Sequence, residues 1–152
     1  FEVMEGRPDW QALDVRVLPG ITAMLAAAAR AGAPLGHDFC VINLSDNLKP
    51  VELIKNRVRA AVTTDMAMAF YNPRSASRPH TLERVFQVLR AACEPERLLL
   101  FARAVSTPQE QLTWVSLSEA TPDMADMRTL VIVGSSTTRR VGRFVYTPRS
   151  VS

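Results

Sequence analysis

An apolar run ending at Tyr71 passes abruptly into four compact polar residues, Asn72, Pro73, Arg74 and Ser75. A strand that stops in this way delivers a phenol, an amide and a guanidinium to one end of a sheet, where ligands of open α/β sheets bind. Arg78 lies four residues beyond Arg74, and a guanidinium fork matches the geometry of carboxylates and phosphates. A second polar stretch, residues 44–50, carries Asp46, Asn47 and Lys49, and a third, residues 19–22, leads into an Ala-rich run. Residues 104–108 and 134–138 form further polar loops after apolar runs, and Arg139, Arg140, Arg143 and Arg149 make a second arginine-rich stretch. These groups suit anion recognition and ligand alignment. They do not spell a nucleophile with its base: no GxSxG elbow, Walker loop, HExxH or GxGxxG occurs. Only His37 and His80 are present, which excludes a multi-histidine metal site, and His37 after Gly36 reads as a loop or strand-edge residue.

The remaining composition narrows the class. With 152 residues, 47% hydrophobic and 22% charged, the chain can bury a core as one domain without disulfides or metals. No apolar stretch is long enough to span a bilayer as a helix, and the most apolar one, residues 21–29, reads as a buried Ala-rich helix. The net charge of +3 is mild, and aromatic residues do not interleave with the arginines as nucleic-acid stacking platforms would. Cys40 and Cys93 lie far apart without ligand spacing, so both are expected to be buried thiols in a reducing compartment.

Elements that could position these groups follow from periodicity. Strands are expected at residues 14–18, 37–43, 66–71, 98–103, 111–117 and 129–133, with a short strand or extended tail at 143–147. Helices are expected at 22–30, stopped by Gly32 and Pro34, at 51–62 behind Pro50, and at 81–93. The chain start, residues 1–5, reads as the last turns of a helix begun upstream. Strands alternating with helices, then following one another closely, indicate an α/β domain with a mixed sheet flanked by helices.

Several segments together resemble the tetrapyrrole methylase superfamily. LPGITA at 18–23, followed by an Ala-rich helix and AGAPLGH at 31–37, is similar to that superfamily's PGITA segment and the stretch after it. NLSDNLKP at 43–50, YNPRS at 71–75, VIVGSS at 131–136 and VYTPR at 145–149 resemble its precorrin-3B C17-methyltransferase branch. The likeness runs from about Phe1 to Arg149. It departs at Val51, where an aromatic residue is expected, and at Val105 and Ser106, where the branch commonly has a glycine. The family's N-terminal lobe, with its glycine-rich loops, has no counterpart here, so the resemblance makes residues 1–152 the C-terminal lobe of a two-lobed enzyme.

That resemblance implies methyl transfer from S-adenosyl-L-methionine to a tetrapyrrole carbon of precorrin-3B with ring contraction, in cobalamin biosynthesis. The protein would chiefly align carbon, methyl and sulfur. Thr22 and Ala23 would then contact the cofactor at a helix entrance, Tyr71 and Asn72 would line its other side, and Val105 would approach the adenosyl group. Plainer roles are open to three of them: helix cap for Thr22, turn former for Asn72, loop packing for Val105. Asp46, Asn47, Lys49, Arg74 and Arg78 would face the polycarboxylate substrate, with a solvated loop as their plainer reading. No general acid or base is assigned, Asp46 and His37 both being open to that role. A homodimer when full length, a cytoplasmic location, and neither nucleic acid nor membrane as partner complete the expectation. A cobalt-factor III enzyme or a lobe that only binds tetrapyrrole or dimerises are the alternatives.

Overall fold

Successive residues of a strand point to opposite faces of a sheet, so alternation decides which side chains meet. The computed structural model describes residues 1–150. In it β2 (Phe39–Asn43), β3 (Ala67–Tyr71), β6 (Thr129–Val133), β4 (Leu98–Arg103) and β5 (Gln111–Ser116) lie side by side in that order as one mixed sheet. Met68, Phe70, Leu99, Phe101, Val131 and Val133 belong to the core on one face, and Ala69, Leu100, Ala102, Leu130 and Ile132 to the core on the other. The first face is covered by α3 (Val51–Thr63) and α4 (Thr81–Ala92). They turn Ile54, Val58 and Ala61, and Leu82, Val85, Phe86 and Leu89, inward at the spacing of one helix face. Phe86 meets Phe101 edge-on, with centroids 6.4 Å apart. On the second face lies α2 (Ala23–Ala31), whose buried Ala27, Ala28 and Ala31 join Ala69 and Ala102 in the same cluster. Methyl-sized side chains on both partners let helix and sheet approach closely.

Strand direction gives this sheet two different ends. β2 and β3 are parallel, β3 and β4 are each antiparallel to β6, and β5 is antiparallel to β4. The carboxyl ends of β2, β3 and β4 therefore share one end with the amino ends of β5 and β6. The expected α/β class with a mixed sheet flanked by helices is borne out, and the boundaries of the predicted helices and of the sheet strands agree within two residues.

Some expectations are corrected. Residues 14–18 form no strand: Val15, Val17 and Leu18 are 51%, 74% and 84% exposed, and Arg16 pairs with Asp14 at 2.7 Å. A strand exists only beside a partner, and none of the described strands pairs with this segment. The expected helix end at residues 1–5 is a single 3-10 turn, Glu2–Met4, followed by the short α1 (Pro8–Gln11). The short strand expected at 143–147 is β8 (Phe144–Tyr146), but its partners were not legible: β1 (Gly32–Ala33) pairs with β8, and β8 with β7 (Arg139–Val141), as a second sheet. Gly32 stops α2 and also makes room for this sheet, since at its φ of +129° a Cβ would come within 2.5 Å of the Val145 carbonyl. Cys40 and Cys93 are half-buried rather than buried, and desolvation raises both thiol pKa values. Among the described residues no helix is long and apolar enough to cross a membrane.

Beyond β4 the backbone turns through the left-handed region, at Ala104 (φ +49°) and Ser106 (φ +64°). The Ala104 N–H donates to the Arg128 carbonyl at 2.9 Å, and the Ser106 N–H to Glu110 Oε2 at 2.7 Å. A side chain bearing Cβ is strained there by roughly 1–2 kcal/mol, part of which a glycine returns as unfolded-chain entropy. Ser106→Gly is therefore expected to raise stability by about 0.5–1 kcal/mol in urea unfolding. A loss of stability would contradict the turn geometry.

At the opposite end of the sheet Arg97, 5% exposed, bonds Glu94 at 2.6 and 2.9 Å, the Gly134 carbonyl at 3.0 Å and Asp65 at 3.2 Å. The donated guanidinium bonds hold the Glu94 carboxyl below its ordinary pKa, against a smaller upward push from burial. A depressed folded pKa adds stability that is complete above the unfolded value and fades as pH falls through the folded one. Arg97→Met should cost about 2–3 kcal/mol, the range for breaking a buried pair reduced for its half-exposed carboxylates. The variant's deficit should shrink below the ordinary glutamate range, as thermal melts across acidic pH would read; a deficit constant with pH would refute the coupling.

Candidate functional site

The first turn of a helix carries N–H groups without intrahelical partners. In α2 one of them is met from a distance: the Met24 N–H donates to the Tyr71 hydroxyl at 3.0 Å, and the same hydroxyl is hydrogen-bonded to that of Thr22. Thr22 occupies the N-cap position but makes no side-chain cap bond. The plainer role open to it, helix cap, thus passes to Tyr71, the last residue of β3. This contact fastens the entrance of α2 to the carboxyl end of β3.

Asn72 continues the strand end in the left-handed region, at φ +50°, a conformation Asn tolerates better than most residues. Its Nδ2 donates to Asn43 Oδ1 at 3.1 Å, an oxygen that also accepts the Ser45 N–H at 2.9 Å. The Leu44 N–H donates to the Tyr71 carbonyl at 2.9 Å. The ends of β2 and β3 are in this way tied to each other.

Ala23, Tyr71, Asn72 and Val105 line one cleft of about 270 Å³ at this end of the sheet. Thr22 stands behind Tyr71, so the structure brings the five expected cofactor-side residues together. Ala102 lies opposite Leu130 in the ladder, and Tyr71 lies one residue beyond the Phe70–Val131 pair; this row forms part of the lining. Ala104, Met127, Arg128 and Thr129 complete it, and sequence reasoning missed them. The signal they lacked is strand direction. β6 runs backwards, so the segment before it, and not the expected loop 134–138 after it, reaches the cleft. Loop 134–138 lies at the other end, where Ser136 donates its N–H to Asp65.

Asp126 shapes the missed segment. Its carboxylate accepts from Arg103 Nε at 2.7 Å, Thr129 Oγ1 at 2.8 Å and the Arg128 N–H at 2.9 Å. Burial pushes this carboxyl up, yet the bonds from Thr129, Arg103 and Arg128 together keep it below its usual value. The charged form is thereby held in place at neutral pH, and with it the Met127–Thr129 backbone.

None of the expected substrate-side residues lines this cleft. Arg78 is nearest in contact, its Nη1 reaching the Asn72 carbonyl at 3.4 Å. Arg74 lines an adjoining hollow of about 470 Å³ that shares Met127 and Arg128 with the cleft. Asp46 is half-buried below the start of α4, accepting from Thr81 Oγ1 at 3.4 Å through one oxygen while the other is buried without a partner. Asn47 is exposed and Lys49 half-buried, and neither side chain makes a hydrogen bond or ion pair among the described residues. Arg139 and Arg140 sit on β7, in the small sheet that follows the C-terminal end of α2 and hence away from the cleft. The two arginine-rich stretches do not join into one basic stripe.

Known proteins resemble the chain over most of its length. The chain is 47% identical over 150 residues to a precorrin-3B C(17)-methyltransferase of Sinorhizobium sp., a match covering 95% of this chain and 59% of the relative. It is 39% identical over 137 residues to a probable cobalt-factor III C(17)-methyltransferase of Salmonella typhimurium, covering 90% of this chain and 57% of that protein. A crystal structure of the methyltransferase CobJ superposes with a TM-score of 0.93 and 63% identity over 97% of this chain and 62% of that one. The chain thus spans about three-fifths of the length of these relatives. The family model for Tetrapyrrole (Corrin/Porphyrin) Methylases matches residues 2–121, a span that holds the motifs at 18–23, 31–37, 43–50 and 71–75, and the chain belongs to that family.

Proposed function

We propose that this chain is the C-terminal lobe of a precorrin-3B C17-methyltransferase of cobalamin biosynthesis, and that its cleft holds part of S-adenosyl-L-methionine. The convergence of Ala23, Tyr71, Asn72 and Val105 on one cleft carries the reading. The higher identity to the precorrin-3B enzyme than to the cobalt-factor III enzyme favours the metal-free substrate. A cleft of about 270 Å³ falls just below the usual size of a complete small-molecule site. It suits part of a ligand, the rest being held by the portion of the relatives that this chain does not span.

The lining fits such a guest. Ala102, Val105, Met127 and Leu130 offer an apolar bed for a flat base, and the tied pair of Tyr71 and Thr22 sets the helix entrance beside it. Bound there, the cofactor supplies a methyl group already activated on sulfur. The residues therefore orient and exclude water instead of activating a nucleophile. Asp46, Asn47, Lys49, Arg74 and Arg78 are assigned to the tetrapyrrole side, beyond the cleft mouth. A cytoplasmic homodimer is the setting proposed for the whole enzyme.

The test is an NMR titration of the isotope-labelled chain with S-adenosylhomocysteine. Binding weaker than micromolar is expected, with amide shifts at Ala23, Asn72, Val105 and Thr129 and no methyl transfer by the chain alone. Micromolar affinity would refute the half-site, and an absence of shifts at these four amides would refute the cofactor assignment.

A further inference from the structure

Arg74 is held in an unfinished state. Its Nη2 pairs with Asp123 Oδ1 at 2.9 Å, while its Nε is buried with no hydrogen-bond partner. A guanidinium satisfies a carboxylate best through two parallel N–H bonds, and a buried donor left unmade is costly. The two partners are also unequal. The Arg74 side chain is 31% exposed, whereas Asp123 is 82% exposed and stands on the three-residue 3-10 turn Pro122–Met124. An exposed carboxylate on so short a turn holds its cation weakly.

The surroundings favour a second carboxylate. Arg74 and Arg128 line the hollow that adjoins the cofactor cleft. The other acid there, Asp126, already accepts from Arg103, Thr129 and the Arg128 N–H, so its charge is spent on its own loop. We infer that Arg74 is a receptor for a carboxylate side arm of the tetrapyrrole substrate, and that Asp123 is a stand-in which this carboxylate displaces. The inference rests on the function proposed above. Asp123 keeps the guanidinium oriented while the hollow is free, and an arriving carboxylate can engage Nη2 together with the orphaned Nε. Arg128 supplies a second positive charge at the passage towards the cleft.

The Arg74→Lys variant, which keeps the charge and loses the fork, sets this apart from simple charge attraction, and the chain itself is used with uroporphyrin III, a tetrapyrrole bearing carboxylates on every side arm. Fluorescence titration at fixed ionic strength should show Arg74→Gln weakening binding about tenfold. Arg74→Lys should recover only part of the loss, because an ammonium lacks the fork. Asp123→Asn should tighten binding by about threefold to fivefold, the worth of a released exposed pair. Arg84→Gln, a cation on α4, should change nothing. Circular dichroism melts check that each variant folds, and the exposed Asp123 variant carries the test if Arg74→Gln does not. Weaker or unchanged binding in Asp123→Asn, or an equal loss in Arg84→Gln, overturns the inference. The S-adenosylhomocysteine titration separates the two readings: intact cofactor shifts with Arg74-independent uroporphyrin binding sink the receptor alone. Missing cofactor shifts with Arg74-dependent binding sink the cofactor assignment alone.

Discussion

The Tyr71 hydroxyl is the contact on which the site depends. It receives the Met24 N–H and bonds Thr22, so a side chain at the end of β3 closes the helix that begins nearly fifty residues earlier. Helix entrances are ordinarily closed by a neighbour in sequence, usually a Ser, Thr, Asn or Asp at the N-cap. Handing that task to a phenol across the fold makes the helix terminus and the strand end one unit. The cleft wall formed by Ala23 and the cleft edge formed by Tyr71 and Asn72 then share one anchor. The Ala-rich face of α2 acts in the same sense, since small side chains against Ala69 and Ala102 keep the helix close to the sheet.

A second constraint is the reversed strand at the centre. β6 lies between β3 and β4 and runs against both, so it brings its amino end to the carboxyl ends of its neighbours. A wholly parallel sheet would place loops that follow strands at the cleft and nothing else. Here the segment before β6 enters as well, and Asp126 holds it there by accepting three donors. The cleft therefore joins the entrance of α2 and the loops after β3 and β4 to the approach to β6, four pieces from separate parts of the chain.

The elements were legible where the pattern is local, and the gaps arise where pairing decides. The apolar spacing of Ile54, Val58 and Ala61 or of Leu82, Val85, Phe86 and Leu89 is a property of each helix alone, and it is what the structure uses. Residues 14–18 carry an equally good alternation, yet alternation cannot supply the neighbouring strand that the hydrogen bonds require. β1 and β7 are two and three residues long and depend on each other through β8, so no periodicity marks them. The direction of β6 is likewise a fact about pairing, which is why Met127, Arg128 and Thr129 escaped while loop 134–138 was wrongly counted with the cleft loops. Of the site, the family motifs marked Thr22, Ala23, Tyr71 and Asn72, and the family likeness marked Val105 in spite of the missing glycine there; their meeting in space no spacing rule contains.

Backbone strain gathers mainly at the cleft end of the sheet. Among the described residues four other than glycine take positive φ: Asp65, Asn72, Ala104 and Ser106. Asp65 has a structural reason, because its carboxylate must meet both the Ser136 N–H and the buried Arg97. The other three stand at the cleft end, in the turns after β3 and β4. Asn72 is compensated in part by its bond to Asn43 and Ser106 by its bond to Glu110, but Ala104 has no side-chain polar group to offer in return. Strain of this kind persists only where the surroundings over-determine the conformation, and it gathers at ligand sites. What over-determines it here is the Ala104 N–H bonded to the Arg128 carbonyl, which fastens the strained turn to the segment before β6. The backbone that curls most sharply is thus tied to the backbone that Asp126 fixes. The rim of the cleft keeps its shape through hydrogen bonds that hold a strained turn against the segment before β6.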